Sequence, residues 1–224
     1  DQALNSLLDL AERDKSVVKR LLSKHDQAVR LCAVLGASKA LTDFLRRHPD
    51  AMHIFEKPHP INLGPERYRM VIADQVTPML KQGFSTPDAW NVLRKVYRVE
   101  LLKIAIFDLT SPNAQDDLPV VAAALADIAG GAIEAGLAIA RAELKFTRDH
   151  GVFSELEIDA TKIAVIAMGK CGARELNYIS DVDVIYVAES GSPDVENNRA
   201  LEVATKLATR MMRAMDGTAS EPDL

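Results

Sequence analysis

Over its first 150 residues the chain spaces apolar side chains by three and four, and that period predicts helices with short interruptions. Leu4, Leu7, Leu8 and Leu10 set the pattern. Val17, Val18, Leu21 and Leu22 repeat it, and Val29, Leu31, Val34 and Leu35 carry it to a stop at Gly36. Ser38 caps a helix through Leu41, Phe44 and Leu45 that ends before Pro49. Residues 57–65 hold three prolines and a glycine and predict a loop, followed by a helix over 66–82. Thr86-Pro87 reads as a cap and first helical position for a longer helix. Trp90, Leu93, Val96, Tyr97, Leu101, Ile104 and Ala105 share one face of it, with Arg94 and Arg98 off that face. A linker at Ser111-Pro112-Asn113 leads to a second long helix near 117–148. Its stripe of Leu118, Val121, Leu125, Ile128, Ala132, Ile139 and Ala140 has the small residues that close helix packing favours.

The period changes after Gly151. Residues 162–168 form a short apolar run rich in β-branched side chains, the pattern of a strand covered on both faces, and residues 182–187 form a second strand. The stretch between them is too short for a crossover helix. A helix from Val195 to Ala214 follows, with a loose polar tail after it. The expected fold class is mainly α with a small α+β unit. An array of antiparallel helices fills 1–150 and the α+β unit fills 151–224.

Composition narrows the function. The 224 residues suffice for a sizeable core, and 27 basic against 32 acidic side chains give a net charge of −5. That balance argues against a generic nucleic-acid binder. Two cysteines, Cys32 and Cys171, make no disulfide framework and favour a cytoplasmic setting. No apolar run long enough to span a bilayer is expected, and so no membrane. The start at Asp1 suggests a piece of a longer protein.

The chemistry-bearing segment is 168–187. On a strand, Asp181 and Asp183 project from one side while Val182 and Val184 point inward. Two carboxylates so placed repel unless a cation lies between them, which makes them a ligand pair for Mg²⁺. Upstream, Gly169 and Gly172 flank a tight turn whose amides suit an anion. A strand, a phosphate-holding turn and a metal-bearing strand suit metal-assisted phosphoryl or nucleotidyl transfer. Alone, Asp-x-Asp is usually a solvated strand end. The combination is far rarer by chance.

The run Met168-Gly169-Lys170-Cys171-Gly172-Ala173-Arg174-Glu175-Leu176-Asn177-Tyr178-Ile179-Ser180-Asp181-Val182-Asp183 resembles the signature of the glutamine synthetase adenylyltransferase/adenylyl-removing family. That family belongs to the DNA polymerase β-like nucleotidyltransferases. Residues 90–105 are similar to its helical segment, whereas Cys171 and Ala173 replace the usual Leu and Gly. The family carries two catalytic units in tandem, and Glu175-Leu176-Asn177 looks more like the N-terminal one. The resemblance implies removal of AMP from a glutamine synthetase tyrosine by phosphorolysis, and attachment from ATP by the C-terminal unit. It gives Asp181 and Asp183 as catalytic Mg²⁺ ligands. Gly169, Gly172 and Ser180 would face the phosphates, with Lys170 and Arg174 as further phosphate contacts. Arg174 reads equally as a structural residue paired to Glu175. Nucleotide (ATP or ADP) and inorganic phosphate are the implied small substrates or products. Glutamine synthetase is the implied protein substrate and a PII-type signal protein the implied regulator.

The superfamily's third carboxylate, found in a Val-Asp-x-Arg-Leu-Arg-Pro type run, has no match here, and Asp216, Glu221 and Asp223 fit no such pattern. The segment is therefore expected to be inactive alone, ending before the third carboxylate strand. One rival is the uridylyltransferase of PII, another a non-catalytic helical module that docks a partner and senses nucleotide. His48, His53 and His59 suit capping better than metal binding, and Arg94, Lys95, Arg98 and Lys103 read as a solvated or interdomain face.

Overall fold

Apolar spacing of three and four folds as helix almost wherever it occurs. The computed structural model describes all residues except Asp1, Asp14, Gln82, Phe84, Thr218 and Asp223, and all side chains of those except Arg13, Val17 and Arg20. The expectations for the Val17 side chain, Gln82, Thr218 and Asp223 lie outside the described residues. Backbone contacts gather the chain into two units, Asp1–Leu63 with Arg98–Ala124, and Gly64–Tyr97 with Leu125–Leu224.

In the first unit α1 (Gln2–Arg13), α2 (Lys15–Leu22), α3 (His25–Ala37) and α4 (Lys39–Arg47) precede a 3-10 segment, Pro49–Glu56. The Ser38 hydroxyl accepts a hydrogen bond from the Leu41 amide at 3.2 Å, the N-cap that the sequence predicts. Leu21, Leu31, Leu35, Phe44, Leu45, Ile54 and Phe55 are buried in one core with Leu102, Ala105 and Ile106 of α6 (Thr86–Thr110). The His59 ring bonds the Ile54 carbonyl at 2.9 Å and His53 the Asp50 carbonyl at 2.6 Å, the local backbone roles expected of them.

The second unit holds α5 (Pro65–Val76), a 3-10 segment Thr77–Met79, α6 up to Tyr97, and α7 (Ala114–Gly151) from Leu125 on. It continues through α8 (Glu155–Ala160), β1 (Thr161–Ala167), α9 (Gly169–Gly172), β2 (Val184–Ser190) and α10 (Asn197–Asp216). Small residues on α7 do let helices approach. A Cβ at Gly136 would lie 2.5 Å from Met215 Cε, and one at Gly131 would lie 3.3 Å from the Tyr68 carbonyl. Leu118, assigned to the same apolar stripe, is instead exposed. By length and composition α7 is apolar enough to cross a membrane, against expectation. Yet 61% of an apolar 18-residue window within it is buried inside the protein, as in a core helix. Its helical geometry ends at Arg148, Asp149 and His150, whose φ values are 48°, 48° and 59°.

β1 and β2 pair antiparallel from Thr161↔Ser190 to Ala167↔Val184. Neither is covered on both faces. Ile163, Val165, Tyr186 and Ala188 are half-buried, whereas Ile166, Ile185 and Val187 lie on the exposed face. The apolar run of β1 therefore reflects strand propensity on an outer face as well as burial on the inner one.

Two further expectations are corrected. Arg94 is not solvated: it is 1% exposed, and its guanidinium donates to the carbonyls of Gly217 (2.7 Å), Glu221 (2.9 Å) and Ala214 (3.0 Å). Described residues of the tail, read as a loose end, are docked as well. The Glu221 amide donates to Asn91 Oδ1 at 2.9 Å and the Leu224 amide to the Met215 carbonyl at 2.9 Å. A buried guanidinium needs acceptors, and the end of α10 with the returning tail supplies them.

Candidate active site

The site is built where β1 ends, the glycine turn begins and β2 starts. β2 begins at Val184, so Asp181 and Asp183 precede the strand rather than lie within it. The pleat nevertheless extends back through them. The Met168 amide donates to the Asp183 carbonyl at 2.8 Å, one step beyond the Ala167↔Val184 pair. Asp181 and Asp183 are exposed, and Val182 and Val184 between and after them are half-buried. Both acidic side chains therefore lie on the side of the chain that continues into Ile185 and Val187.

Turn and carboxylates are adjacent. Gly169 has φ 53°, and a Cβ there would sit 3.3 Å from Asp183 Oδ2, so the Asp183 carboxylate lies over the glycine. Gly172 is needed for a different reason, because a Cβ on it would fall 2.4 Å from the Ala167 carbonyl oxygen at the end of β1. Its amide is spent within the turn, donating to the Met168 carbonyl at 3.0 Å, and Ala173 closes likewise on Gly169. Gly172 thus shapes the turn, and the amides that open it belong to Gly169, Lys170 and Cys171.

Lys170 is exposed, and its side chain has no partner among the described residues. Ser180 is half-buried. With Asp181 it borders a cleft of about 760 Å³ whose other walls include Tyr97, Tyr178, Met211 and Met215. Arg174 pairs with Asp127 on α7, not with Glu175. Its Nε donates to Oδ1 at 3.1 Å and its Nη2 to Oδ2 at 2.7 Å. That hydrogen-bonded carboxylate holds the Arg174 pKa above its ordinary value. Burial, reinforced by Asp127, pushes the Cys171 thiol up, so a thiolate nucleophile is disfavoured.

Asp181 and Asp183 have no cationic side chain within ion-pair reach among the described residues. Two solvent-facing, uncompensated oxygen donors fit a hard divalent cation such as Mg²⁺. Among those residues no cluster of three or more His, Cys, Asp or Glu side chains could hold a metal, so the site offers two carboxylates. Sequence reasoning missed Asp127, whose only signal was an acidic residue inside the apolar stripe of α7.

The family model for glutamate-ammonia ligase adenylyltransferase matches residues 28–224. Three curated relatives are each named bifunctional glutamine synthetase adenylyltransferase/adenylyl-removing enzyme. That of Leifsonia xyli is 38% identical over 100% of this chain, that of Cutibacterium acnes 39% over 98%, and that of Streptomyces coelicolor 35% over 99%. The chain spans 22%, 22% and 21% of their respective lengths.

Proposed function

The chain belongs to the glutamate-ammonia ligase adenylyltransferase family, and on that premise we propose that it carries the adenylyl-removing site of a longer enzyme. Residues 1–150 form the helical part in this reading and 151–224 part of the nucleotidyltransferase unit. The protein substrate is glutamine synthetase carrying AMP on a tyrosine. A PII-type protein regulates the whole enzyme, which works in the cytoplasm. The observation that carries the proposal is the Asp183 carboxylate lying over Gly169, with Asp181 on the same side.

Asp181 and Asp183 would hold Mg²⁺. When bound, that ion neutralises charge on the phosphates and on the departing oxygen. An oxygen of inorganic phosphate attacks the AMP phosphorus, the bond from phosphorus to the tyrosine oxygen breaks, and ADP and the tyrosine result. The opening amides of the turn and the Lys170 ammonium orient the phosphate, and Ser180 adds a hydroxyl. With two carboxylates rather than three in the site among the described residues, the 224-residue chain alone is inactive in this account.

The test uses the full-length enzyme and adenylylated glutamine synthetase. Asp181→Asn and Asp183→Asn should each lower phosphorolysis by at least about a hundredfold. Undiminished phosphorolysis in either variant would favour the non-catalytic docking module instead.

A further inference from the structure

Asp127 is a buried carboxylate that reaches Arg174 just past the glycine turn, and nothing in the proposed chemistry yet uses it. It lies on α7 among buried Ala124, Leu125, Ala126 and Ile128, and its side chain is 5% exposed. A carboxylate in such surroundings is costly unless its charge is met, and Arg174 meets it side-on with two N–H groups. That contact uses the Nε edge of the guanidinium. The Arg174 side chain is still half exposed, and its Nη1 has no hydrogen bond among the described residues. The arginine also holds a left-handed backbone, φ 59°, two residues past Gly172. Its main chain and its head group are therefore both fixed relative to the turn.

We propose that Asp127 is a positioning residue of the candidate site, holding Arg174 by one edge so that the other edge meets the phosphate of the small anionic substrate. The proposal rests on the adenylyl-removing reading. A guanidinium with a carboxylate on one edge and open N–H groups on the other is preorganised for an oxyanion, whereas an unpaired arginine would lose that order on binding. Glu175, next in sequence, is the obvious partner. The use of Asp127, 47 residues away, ties α7 to the turn.

The experiment measures phosphorolysis of adenylylated glutamine synthetase by the full-length enzyme, varying inorganic phosphate and protein substrate separately. Asp127→Asn and Arg174→Gln should each raise KM for phosphate by at least about tenfold and leave KM for the protein within about twofold. The double variant Asp127→Asn/Arg174→Gln, which pairs two neutral amides and avoids a stranded buried charge, should be no worse than Arg174→Gln. Arg174→Lys should recover part of the loss. An unchanged phosphate KM, or parallel rises in both KM values, overturns the proposal. An effect of Asp127→Asn that persists in the Arg174→Gln background also overturns it. If Asp181→Asn leaves phosphorolysis intact, the parent reading fails. If it abolishes turnover while Arg174→Gln does nothing, only the role of Asp127 fails.

Discussion

Replacing Arg94 by alanine removes a guanidinium that is 1% exposed and that satisfies the end of α10 together with the tail. Three of its bonds are short, to the carbonyls of Gly217, Glu221 and Ala214, and a fourth to Arg213 is 3.4 Å. Charge-assisted bonds of this kind contribute about 1.5–3 kcal/mol each, so the three short ones sum to roughly 4.5–9 kcal/mol. Two effects offset that sum. The desolvation of the buried cation is recovered in the variant, and the Arg213 carbonyl keeps the Gly217 amide as a donor at 2.7 Å. A net loss of about 3–5 kcal/mol follows, the usual consequence of breaking a buried charged network on one side. Arg94→Lys should recover less than half of it, because one ammonium cannot serve carbonyls spread over residues 214–221. Urea denaturation followed by fluorescence is the assay. Trp90 is the chain's single tryptophan, and its ring lies 6.0 Å from the Arg94 guanidinium carbon, within the second unit. A loss below about 1 kcal/mol for Arg94→Ala would refute the reasoning, since breaking a buried charged network on one side costs more than that.

Gly172→Ala should destabilise by about 1–3 kcal/mol, because its Cβ meets the backbone of Ala167 and neither side can yield; thermal melting measures this. Gly130→Ala should do the reverse, raising stability by about 0.5–1 kcal/mol in the same melts, since a Cβ there meets nothing within 4 Å of a helical glycine. Glu157 gives a pH dependence. Hydrogen bonding from Arg199 first, and from the Ser154 amide next, holds its pKa down to about 2 from 4.5. A lowered folded pKa means that the stabilisation is complete above about 4.5 and is lost as pH falls toward 2. The full shift corresponds to about 3 kcal/mol, and solvent screening reduces it to roughly 1–2 kcal/mol. Glu157→Gln should therefore flatten the stability curve across that range in denaturation at graded pH, and an unchanged slope would contradict it.

Local patterning made most of the fold legible, and long-range pairing hid the rest. The three-four spacing marks α3, α4, α6 and α7, and the Ser38 cap follows from one polar residue ahead of Leu41. The alternation that set Asp181 and Asp183 apart from Val182 and Val184 survives although the regular strand starts only at Val184. Two adjacent strands did not announce an exposed face, because Ile166, Ile185 and Val187 have the same β-branched character inside or out. Arg94 reads as part of a solvated or interdomain face because it lies off the apolar face of its helix. Its acceptors are backbone carbonyls 119 to 127 residues away, which leave no trace in composition. Arg174 was readable as a charged residue beside the turn, but its choice of Asp127 over Glu175 depends on how α7 packs. The docked tail was missed for the same reason. Polar residues predict a loose end unless a partner such as half-buried Asn91 or buried Arg94 waits for their backbone.

The most direct test of the central claim is to locate a divalent ion. Crystals of the full-length enzyme grown with ADP and Mn²⁺ in place of Mg²⁺ would show the metal by its anomalous scattering. The account predicts a peak bridged by the carboxylates of Asp181 and Asp183 beside Gly169, lost in Asp181→Asn. A metal bound to the nucleotide elsewhere, with both aspartates free of it, would contradict the account.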